Sequence, residues 1–512
     1  MVIEINYFSL SANRQFIQSP LLFFMYTRNV KKSFSVALLL SFIISVYAQD
    51  DRPDDYLPKE FHAGRRAALR EIMPDNSVMV VFASPTRTFS NDVEYLYHQN
   101  PDLYYFTGYK EPHSVLFIFK SPQTDASGNS FSEVLFVQKR NASAEQWTGK
   151  RLGDEGAKDK LGLKEVFNGE EFQKFNIDFS KFDKIIFDRL PIDVPINKKD
   201  SADLFHLIQQ FKDKAAVPED YSKNERYDNR LYRELTGKLR EIKTPEEMDL
   251  IRKAVEISCM GQNEVMKTLK PDISELEIQG LHEYVHKKYG AEEVGYGSIV
   301  GAGDDGCILH YVENNRTNVG NSMLLMDVGA EYHGYTADVT RTVPAAGKFS
   351  AEEKAIYQLV YDAQEAAFKI LKDGAKWSDA GAAAKEVIAE GLLKLGIIKD
   401  KKDVSKYYPH GLSHHIGLDV HDRGYSQTLK KGMVITIEPG IYIPSGSDCD
   451  KKWWTIGVRI EDDALIREND YELLSSFAPR KIEDVEKMMA QKSILDNYKL
   501  PKLQSAEKKK AF

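Results

Sequence analysis

Short apolar runs alternate with polar turns over the first half of the chain. The runs at 78–82 and 115–119 consist of Val, Ile, Leu, Met and Phe, and turn residues flank them. Runs of this length and composition predict buried strands. Helical stretches lie between the strands, as in α/β domains, so residues 49–235 are predicted to form an N-terminal α/β domain.

A strong helix start at Thr244 marks the second half of the chain. Thr244 can cap the helix, Pro245 suits its first position, and Glu247 completes a capping box. This start follows a polar stretch at 221–230. It therefore predicts the entry into a second domain, over residues 236–490.

Beyond about residue 290 the pattern changes to strands with tight turns, interrupted by one long helical block over 351–395. Apolar runs bounded by turn residues predict the paired strands of this half. The predicted strands cover 323–328, 335–343, 433–438 and 458–466.

The N-terminal segment has the pattern of an export signal. Lysines precede a 14-residue, largely apolar run at 34–47, and Val46 and Ala48 supply small residues before a cleavage point. The run is shorter than the ~20 apolar residues of a spanning helix. We therefore expect residues 1–48 to be a removed leader. The mature protein is expected to be exported, periplasmic or secreted, without stable membrane insertion.

Charge and cysteine content exclude two classes of protein. The formal charge of −8 argues against nucleic acid as a partner, because phosphate binding needs a basic face. Three scattered cysteines without a CxxC spacing exclude a disulfide scaffold and thiol redox chemistry. The tail over 491–512 ends in a lysine-rich segment and is expected to be flexible.

Four carboxylates interrupt or border the apolar strand runs of the second half. They are Asp327, Asp338, Glu438 and Glu461. A carboxylate entering a buried strand is costly unless it is paired, protonated or bound to a metal. One such residue would be read as a salt-bridged structural acid, but four of them with six histidines between 310 and 421 favour a metal site.

The chemistry of these ligands narrows the choice of metal ion. Carboxylates and an imidazole make an oxygen-rich site that suits Mn²⁺ or a similar ion. Asp327 and Asp338 lie on either side of a glycine-containing turn, and a hairpin would set both carboxylates on one face. Two metals ~3.5–4 Å apart can activate water and clamp a carbonyl. The spacing supports a two-metal hydrolase and leaves its substrate open.

Several runs in a fixed order resemble aminopeptidase P (Xaa-Pro aminopeptidase), a pita-bread metallopeptidase. The resemblance covers nearly all of residues 58–487. In the second half the matching runs are 326–330, 337–342, 410–422, 436–440 and 457–463, and in the first half they are 65–69, 97–100, 105–109 and 146–153. The resemblance implies an α+β fold class: a C-terminal pita-bread catalytic domain with an N-terminal α/β accessory domain of the creatinase/aminopeptidase P type.

The resemblance also implies a ligand set for two divalent metal ions, Mn²⁺ by preference with Zn²⁺ or Co²⁺ as options. Asp338 and Glu461 would bridge the ions, Asp327 would hold one, and His414 with Glu438 the other. A hydroxide between the metals would be the nucleophile, and Glu438 its general base.

Further residues follow from the same resemblance. His310 and His421 would line the pocket and hydrogen-bond the substrate or the developing tetrahedral oxygen, and His410 would lie outside the ligand shell. Arg459 is expected to brace Asp338 or Glu461.

Other positions have a weaker match or a structural interpretation. The loop 423–428 is shorter than usual in the family and has no arginine at the expected place, so Tyr425 is the remaining candidate for substrate binding there. His415 is expected to pack or to face solvent rather than to act, and His333 to be solvated in a turn.

The leading interpretation is an exported two-metal aminopeptidase that releases the N-terminal residue from peptides with proline at the second position. The family resemblance suggests a homo-dimer or homo-tetramer. Prolidase, restricted to Xaa-Pro dipeptides, is the alternative within the fold. A non-catalytic pita-bread binding module is the alternative from another class, and it is disfavoured because all five ligands are present.

Overall fold

The computed structural model describes residues 53–125, 128–497 and 500 of the chain. The described residues from Leu57 onward belong to one compact unit, and residues 53–56 belong to a separate one. The predicted leader and its cleavage site lie outside the described residues. The boundary between the predicted domains near 235 stays a prediction.

A five-stranded sheet forms the centre of the N-terminal half. Its strand order is β6-β5-β4-β1-β7, with β4 antiparallel to both of its neighbours and the two edge strands parallel to theirs. The sheet strands are β1 (Ser77–Phe82), β4 (Val115–Thr124), β5 (Ser130–Val137), β6 (Val166–Asn168) and β7 (Lys184–Phe187), and a separate hairpin consists of β2 (Thr88–Ser90) and β3 (Val93–Glu94). The strands predicted at 78–82 and 115–119 are confirmed.

Helices cover this sheet and lead out of it. They are α1 (Lys59–Ile72), α2 (Pro101–Thr107), α3 (Ala142–Thr148), α4 (Gly153–Leu161), α5 (Leu204–Ala215) and α6 (Asn229–Arg240). The mixture of strands and helices confirms the predicted α/β character of this half.

Helix α7 (Pro245–Thr268) begins with the predicted capping box. The Thr244 side chain accepts a hydrogen bond from the Glu247 N–H, and the Thr244 N–H donates to Glu247. Its first half packs into the core of the N-terminal sheet and its second half into the core of the C-terminal half, so α7 joins the two cores.

Small sheets and helices make up the C-terminal half. The sheet orders are β13-β10-β9, β12-β11-β8, β14-β17-β18 and β15-β16. The strands are β8 (Glu293–Val294), β9 (Ile299–Ala302), β10 (Met323–Val328), β11 (Ala330–Tyr332), β12 (Tyr335–Thr336), β13 (Val339–Pro344), β14 (Val434–Ile437), β15 (Gly440–Ile443), β16 (Ile456–Arg459), β17 (Asp462–Ile466) and β18 (Tyr471–Leu473). The helices are α8 (Glu275–Lys288), α9 (Ala351–Phe368), α10 (Trp377–Lys394) and α11 (Ile482–Met489).

Three predicted elements differ in the structure. The strands predicted at 335–343 and 458–466 are each broken in two, at 337–338 and at 460–461. The helical block over 351–395 is two helices, because the chain turns at Gly374, whose φ of +78° favours glycine.

The start of the predicted flexible tail is packed. Residues Ile494–Asn497 form a short 3₁₀ helix in which Leu495 is buried. Asp496 accepts a hydrogen bond from Thr268 at the end of α7. The ordered fold therefore extends to Asn497, beyond the predicted end at 490. Within the described ranges every helix is too short or too polar to cross a bilayer.

Helix α8 holds a buried histidine pair that makes stability depend on pH. His282 and His286 lie one turn apart, and their four ring nitrogens have no hydrogen-bond partner among the described residues. Burial lowers the pKa of His282 well below its ordinary value and that of His286 to about 4, with a smaller contribution from Lys287 to His286. Both rings are therefore neutral in the folded protein near neutral pH.

We expect the free energy of unfolding to fall as the pH decreases from 6.5 towards 4. As the pH falls, these rings bind protons in the unfolded chain before they do so in the folded protein, which stabilises the unfolded chain below pH 6.5. For His286 the decrease in the free energy of unfolding reaches about 3 kcal/mol at most. Urea unfolding at pH 7.5 and 5 measures it, and His286→Leu should reduce the difference. An unchanged pH difference in that variant would contradict the prediction.

Candidate metal centre

The two strand breaks lie at predicted metal ligands. Asp338 stands just before β13, and Glu461 lies between β16 and β17. Asp327 is in β10, where it pairs with Thr340 of β13, and Glu438 directly follows β14. Side chains of a regular strand alternate between its two faces, so a break frees a carboxylate from this alternation. The breaks therefore allow the side chains of Asp338 and Glu461 to face the other ligands.

Helix α7 fixes the strands that carry the two aspartates. The Gln262 side-chain amide donates to the carbonyls of Met326 and Val339, at 3.0 and 2.8 Å. Each of these carbonyls belongs to a residue next to one of the aspartates. A single buried side chain thus holds the backbone beside Asp327 and Asp338 in place.

All five predicted ligands line one cavity of about 540 Å³. His414 lies among the carboxylates: its Nε2 is 3.4 Å from Asp338 Oδ2, 3.4 Å from Glu438 Oε1 and 4.0 Å from Glu461 Oε1. Potential ligand atoms of Asp338, His414 and Glu461 all lie within 4.8 Å of one another. The structure thus brings the predicted ligand set together.

Burial and mutual repulsion disfavour ionisation of most of these carboxylates. Burial, reinforced by neighbouring carboxylates, raises the pKa of Glu461 well above its ordinary value and that of Glu438 to about 8. Burial also raises the pKa of Asp327, although Arg459 opposes it. Bound cations would relieve this repulsion, so the donor set fits divalent metal ions that prefer oxygen ligands.

His414 and Asp338 behave as a pair. Burial opposes the charged form of each, but their hydrogen bond and mutual attraction outweigh it. The pKa of Asp338 is lowered and that of His414 is raised to about 9. Metal binding requires a neutral imidazole, so binding at His414 displaces a proton.

Tyr296 belongs to this site, although the sequence analysis missed it. Its hydroxyl lies 2.5 Å from Asp327 Oδ1 and 2.6 Å from Asp338 Oδ1. Gly295 permits the approach, because a Cβ there would lie 1.7 Å from Thr336 Oγ1. The sequence signal is the Gly-Tyr-Gly run at 295–297, which precedes a strand at a site of close backbone packing.

Arg459 contacts Glu461, one of the two ligands that it was expected to brace, and it also contacts Asp327. Its Nη2 lies 2.6 Å from Asp327 Oδ2, its Nε is 3.9 Å from Glu461, and no contact with Asp338 is described. Of the two expected partners the described contacts thus favour Glu461, while Asp338 lies in the strand break, where it contacts His414 and Tyr296.

Hydroxyl groups complete the surroundings of the ligands. Thr340 Oγ1 donates to Glu461 Oε2 at 2.6 Å. The Tyr442 hydroxyl lies 2.9 Å from Arg459 and 2.8 Å from Nε2 of His410. His410 Nδ1 is also 3.7 Å from Glu438 Oε2, so it lies next to that ligand, and its place outside the ligand set stays a prediction.

His310 and His421 lie on the exposed rim of the cavity. The His421 ring centroid is 4.2 Å from that of His414. Among the described contacts neither rim histidine has a hydrogen-bond partner within the chain. Both imidazoles are therefore placed where a substrate can reach them, and their roles stay predictions.

Buried charges hold the loop that carries His421. The residues on either side, Asp419 and Asp422, both accept hydrogen bonds from Arg240, the former at 2.6 Å. Arg240 also donates to Asp102 of α2 at 2.7 Å. Because all these contacts converge on one buried guanidinium, the N-terminal half helps to position the rim of the cavity.

Tyr425 lies outside the cavity, so the structure does not bring it to the site. It lies against Lys238, whose Nζ is 4.6 Å from the ring centroid, and its N–H donates to Glu241. The start of the loop is drawn towards the N-terminal half, where Arg423 donates to Asp188 at 2.7 Å. These contacts hold the short loop away from the metal ligands.

The two remaining histidines have structural positions. His415 is buried against Trp377, with ring centroids 4.9 Å apart, as a packing histidine should be. His333 is also buried, so the prediction that it is solvated was wrong. Glu292 accepts hydrogen bonds from its N–H and lies 2.7 Å from its Nδ1, which compensates for the burial.

Comparisons with known proteins agree with this geometry. Residues 249–468 match metallopeptidase family M24, and residues 62–184 match the N-terminal domain of aminopeptidase P. The Xaa-Pro aminopeptidase of Escherichia coli K12 is 34% identical over 83% of this chain and 96% of its own length. Human Xaa-Pro aminopeptidase 3 is 32% identical over 82% of each chain.

Solved structures extend the likeness to the whole fold. Escherichia coli aminopeptidase P with the inhibitor Pro-Leu has a TM-score of 0.74 and 32% identity, covering 85% of this chain and 98% of that one. The zinc-substituted enzyme in complex with product also has a TM-score of 0.74 at 32% identity, covering 85% and 100%. These matches confirm the predicted pita-bread and accessory folds. The chain belongs to the aminopeptidase P group of metallopeptidase family M24.

Proposed function

We propose that this metallo-aminopeptidase releases the N-terminal residue from peptides with proline at the second position. The observation that carries the proposal is the convergence of four carboxylates and His414 on one cavity. The names of the relatives supply the substrate class, because similar proteins are Xaa-Pro aminopeptidases.

Two divalent metal ions, Mn²⁺ by preference, are part of the proposal. Asp327, Asp338, His414, Glu438 and Glu461 would hold them, and this oxygen-rich set favours Mn²⁺ over ions that prefer thiolates. Zn²⁺ and Co²⁺ are the alternatives. When bound, the ions supply Lewis-acid activation of water and of the scissile carbonyl.

The chain's own residues then position the substrate and move protons. Glu438 accepts the proton of the attacking water and is the general base. His310 and His421 donate hydrogen bonds to the substrate from the rim. Arg459 holds Asp327 in orientation through its 2.6 Å contact.

A substrate comparison tests the proposal. We expect the chelated protein, after Mn²⁺ is supplied, to release the first residue from Xaa-Pro-Yaa tripeptides and to leave Xaa-Ala-Yaa tripeptides uncut. Activity restricted to Xaa-Pro dipeptides would instead identify a prolidase. Equal cleavage of the alanine and proline peptides would contradict the specificity.

Export and assembly are further parts of the proposal. The apolar segment at 34–47 and the small residues before Gln49 support cleavage after Ala48. N-terminal sequencing of the protein from its native host should find Gln49 first, and an intact leader would contradict export. We also propose that the protein is a homo-dimer or homo-tetramer, as the family resemblance suggests. Light scattering would measure the mass of the assembly.

A further inference from the structure

Two further cavities lie next to the metal cavity, one beyond the other. A cavity of about 230 Å³ shares Val420 and His421 with the metal cavity. It shares His98, Glu331 and Leu418 with a cavity of about 430 Å³ on its other side. Shared lining residues place the three spaces side by side, in a row that we call the trough and that runs from the metal ligands to residues of the N-terminal half.

The far end of this trough, which we call the distal cleft, is lined by Tyr95, Leu96, His98, Glu292, Glu331 and Leu418, among others. Tyr95 and Leu96 are 57% and 73% exposed and follow the β2–β3 hairpin. Exposed apolar side chains at the edge of a concave surface are typical of a binding site.

The distal cleft also has an acidic balance. Among the described residues that line it, Glu292, Glu293 and Glu331 face one lysine, Lys110, and one histidine, His98. His98 Nε2 lies 2.8 Å from Glu331, and that hydrogen bond raises the pKa of His98. Lys287 pairs with Glu293 at 3.3 Å from outside the lining, and the lining itself presents three carboxylates against two cations at most. A basic ligand is therefore favoured over an acidic one.

We propose that the distal cleft binds the C-terminal part of longer peptide substrates, with a preference for a basic side chain there. The inference rests on the proposed function and deepens it. The order of the cavities supports it, because a peptide with its first two residues at the metal ligands would meet the neighbouring cavity next, beyond His421. An extended chain advances ~3.3–3.6 Å per residue, so only peptides well beyond three residues reach the cleft.

The test compares octapeptides that share an Xaa-Pro start and carry either lysines or glutamates in their last four positions. An Xaa-Pro-Yaa tripeptide is the short reference. We expect the lysine octapeptide to have the lower KM, with a difference that shrinks at high salt because surface charges are screened. Equal KM values for the two octapeptides would overturn the preference.

Leu96→Lys is the diagnostic variant. It removes an apolar contact and adds a positive charge at an exposed position, so KM for the lysine octapeptide should rise about five- to tenfold. The tripeptide should keep its kcat and KM. Ile192→Lys is the matched control, because Ile192 is 99% exposed and does not line the cleft. It should change neither substrate.

Three results with the variants would overturn the inference. Leu96→Lys could change KM equally for the tripeptide and the octapeptide, or Ile192→Lys could change KM for the octapeptide by the same factor. The third is dissociation of an oligomer by Leu96→Lys in sedimentation, which would assign the cleft to a subunit contact. Absence of cleavage of every Xaa-Pro peptide by the unmodified protein would instead defeat the proposed function. Calorimetric binding of the octapeptides to the metal-loaded protein would then still test the cleft.

Discussion

Replacing Asp338 or Glu461 with alanine is expected to abolish peptide hydrolysis and to reduce the bound metal. Both carboxylates lie at strand breaks and face His414 in the buried cavity. Loss of either removes a metal ligand in the proposed site, and with it several kcal/mol of transition-state stabilisation, or about a thousandfold or more in rate.

Metal analysis and kinetics on the same preparations measure the effect. Asp448→Ala is the control, because Asp448 is exposed and does not line the cavity. It should keep full activity and metal content. Two full metal equivalents in both Asp338→Ala and Glu461→Ala would overturn the assignment of these residues as ligands.

His310→Ala is expected to lower kcat by about 10²–10³-fold, a loss of ~2.7–4 kcal/mol, with metal content unchanged. His310 lies on the exposed rim and is not one of the proposed ligands. Its imidazole can donate a hydrogen bond as charge develops on the substrate, a contribution made mainly in the transition state. Since the side chain is exposed, the melting temperature should stay close to that of the unmodified protein.

The control for this variant is His206→Ala. His206 belongs to the N-terminal half, pairs with Asp203 and does not line the cavity. It should leave kcat unchanged. Loss of metal in His310→Ala would show that this histidine supports the ligands. A normal kcat with a lowered melting temperature would show that it is structural. Either result would defeat the substrate role.

Features set by neighbouring residues were predictable from the sequence. The capping box at Thr244 depends on three consecutive positions after it, and the structure has it as predicted. The carboxylates of the site were also identifiable, because Asp327 and Glu438 stand in or next to apolar runs where an unpaired acid is costly. Their order along the chain then carried the family resemblance.

Features set by distant residues were not predictable. The breaks at Asp338 and Glu461 depend on contacts between separate strands, such as the Glu461 N–H that donates to the Thr340 carbonyl. His333 is buried because Glu292, 41 residues away, accepts its hydrogen bonds. Tyr425 is turned away by Glu241, 184 residues earlier in the chain. No local pattern contains these pairings.

The carboxylate and histidine cavity is proposed to be a two-metal site for Xaa-Pro cleavage. A titration of the metal-free protein with Mn²⁺, following the release of the first residue from an Xaa-Pro-Yaa peptide, tests it most directly. We expect no activity without metal and full activity only when about two equivalents per chain are bound. Full activity in the metal-free protein, or no gain with any divalent ion, would contradict it.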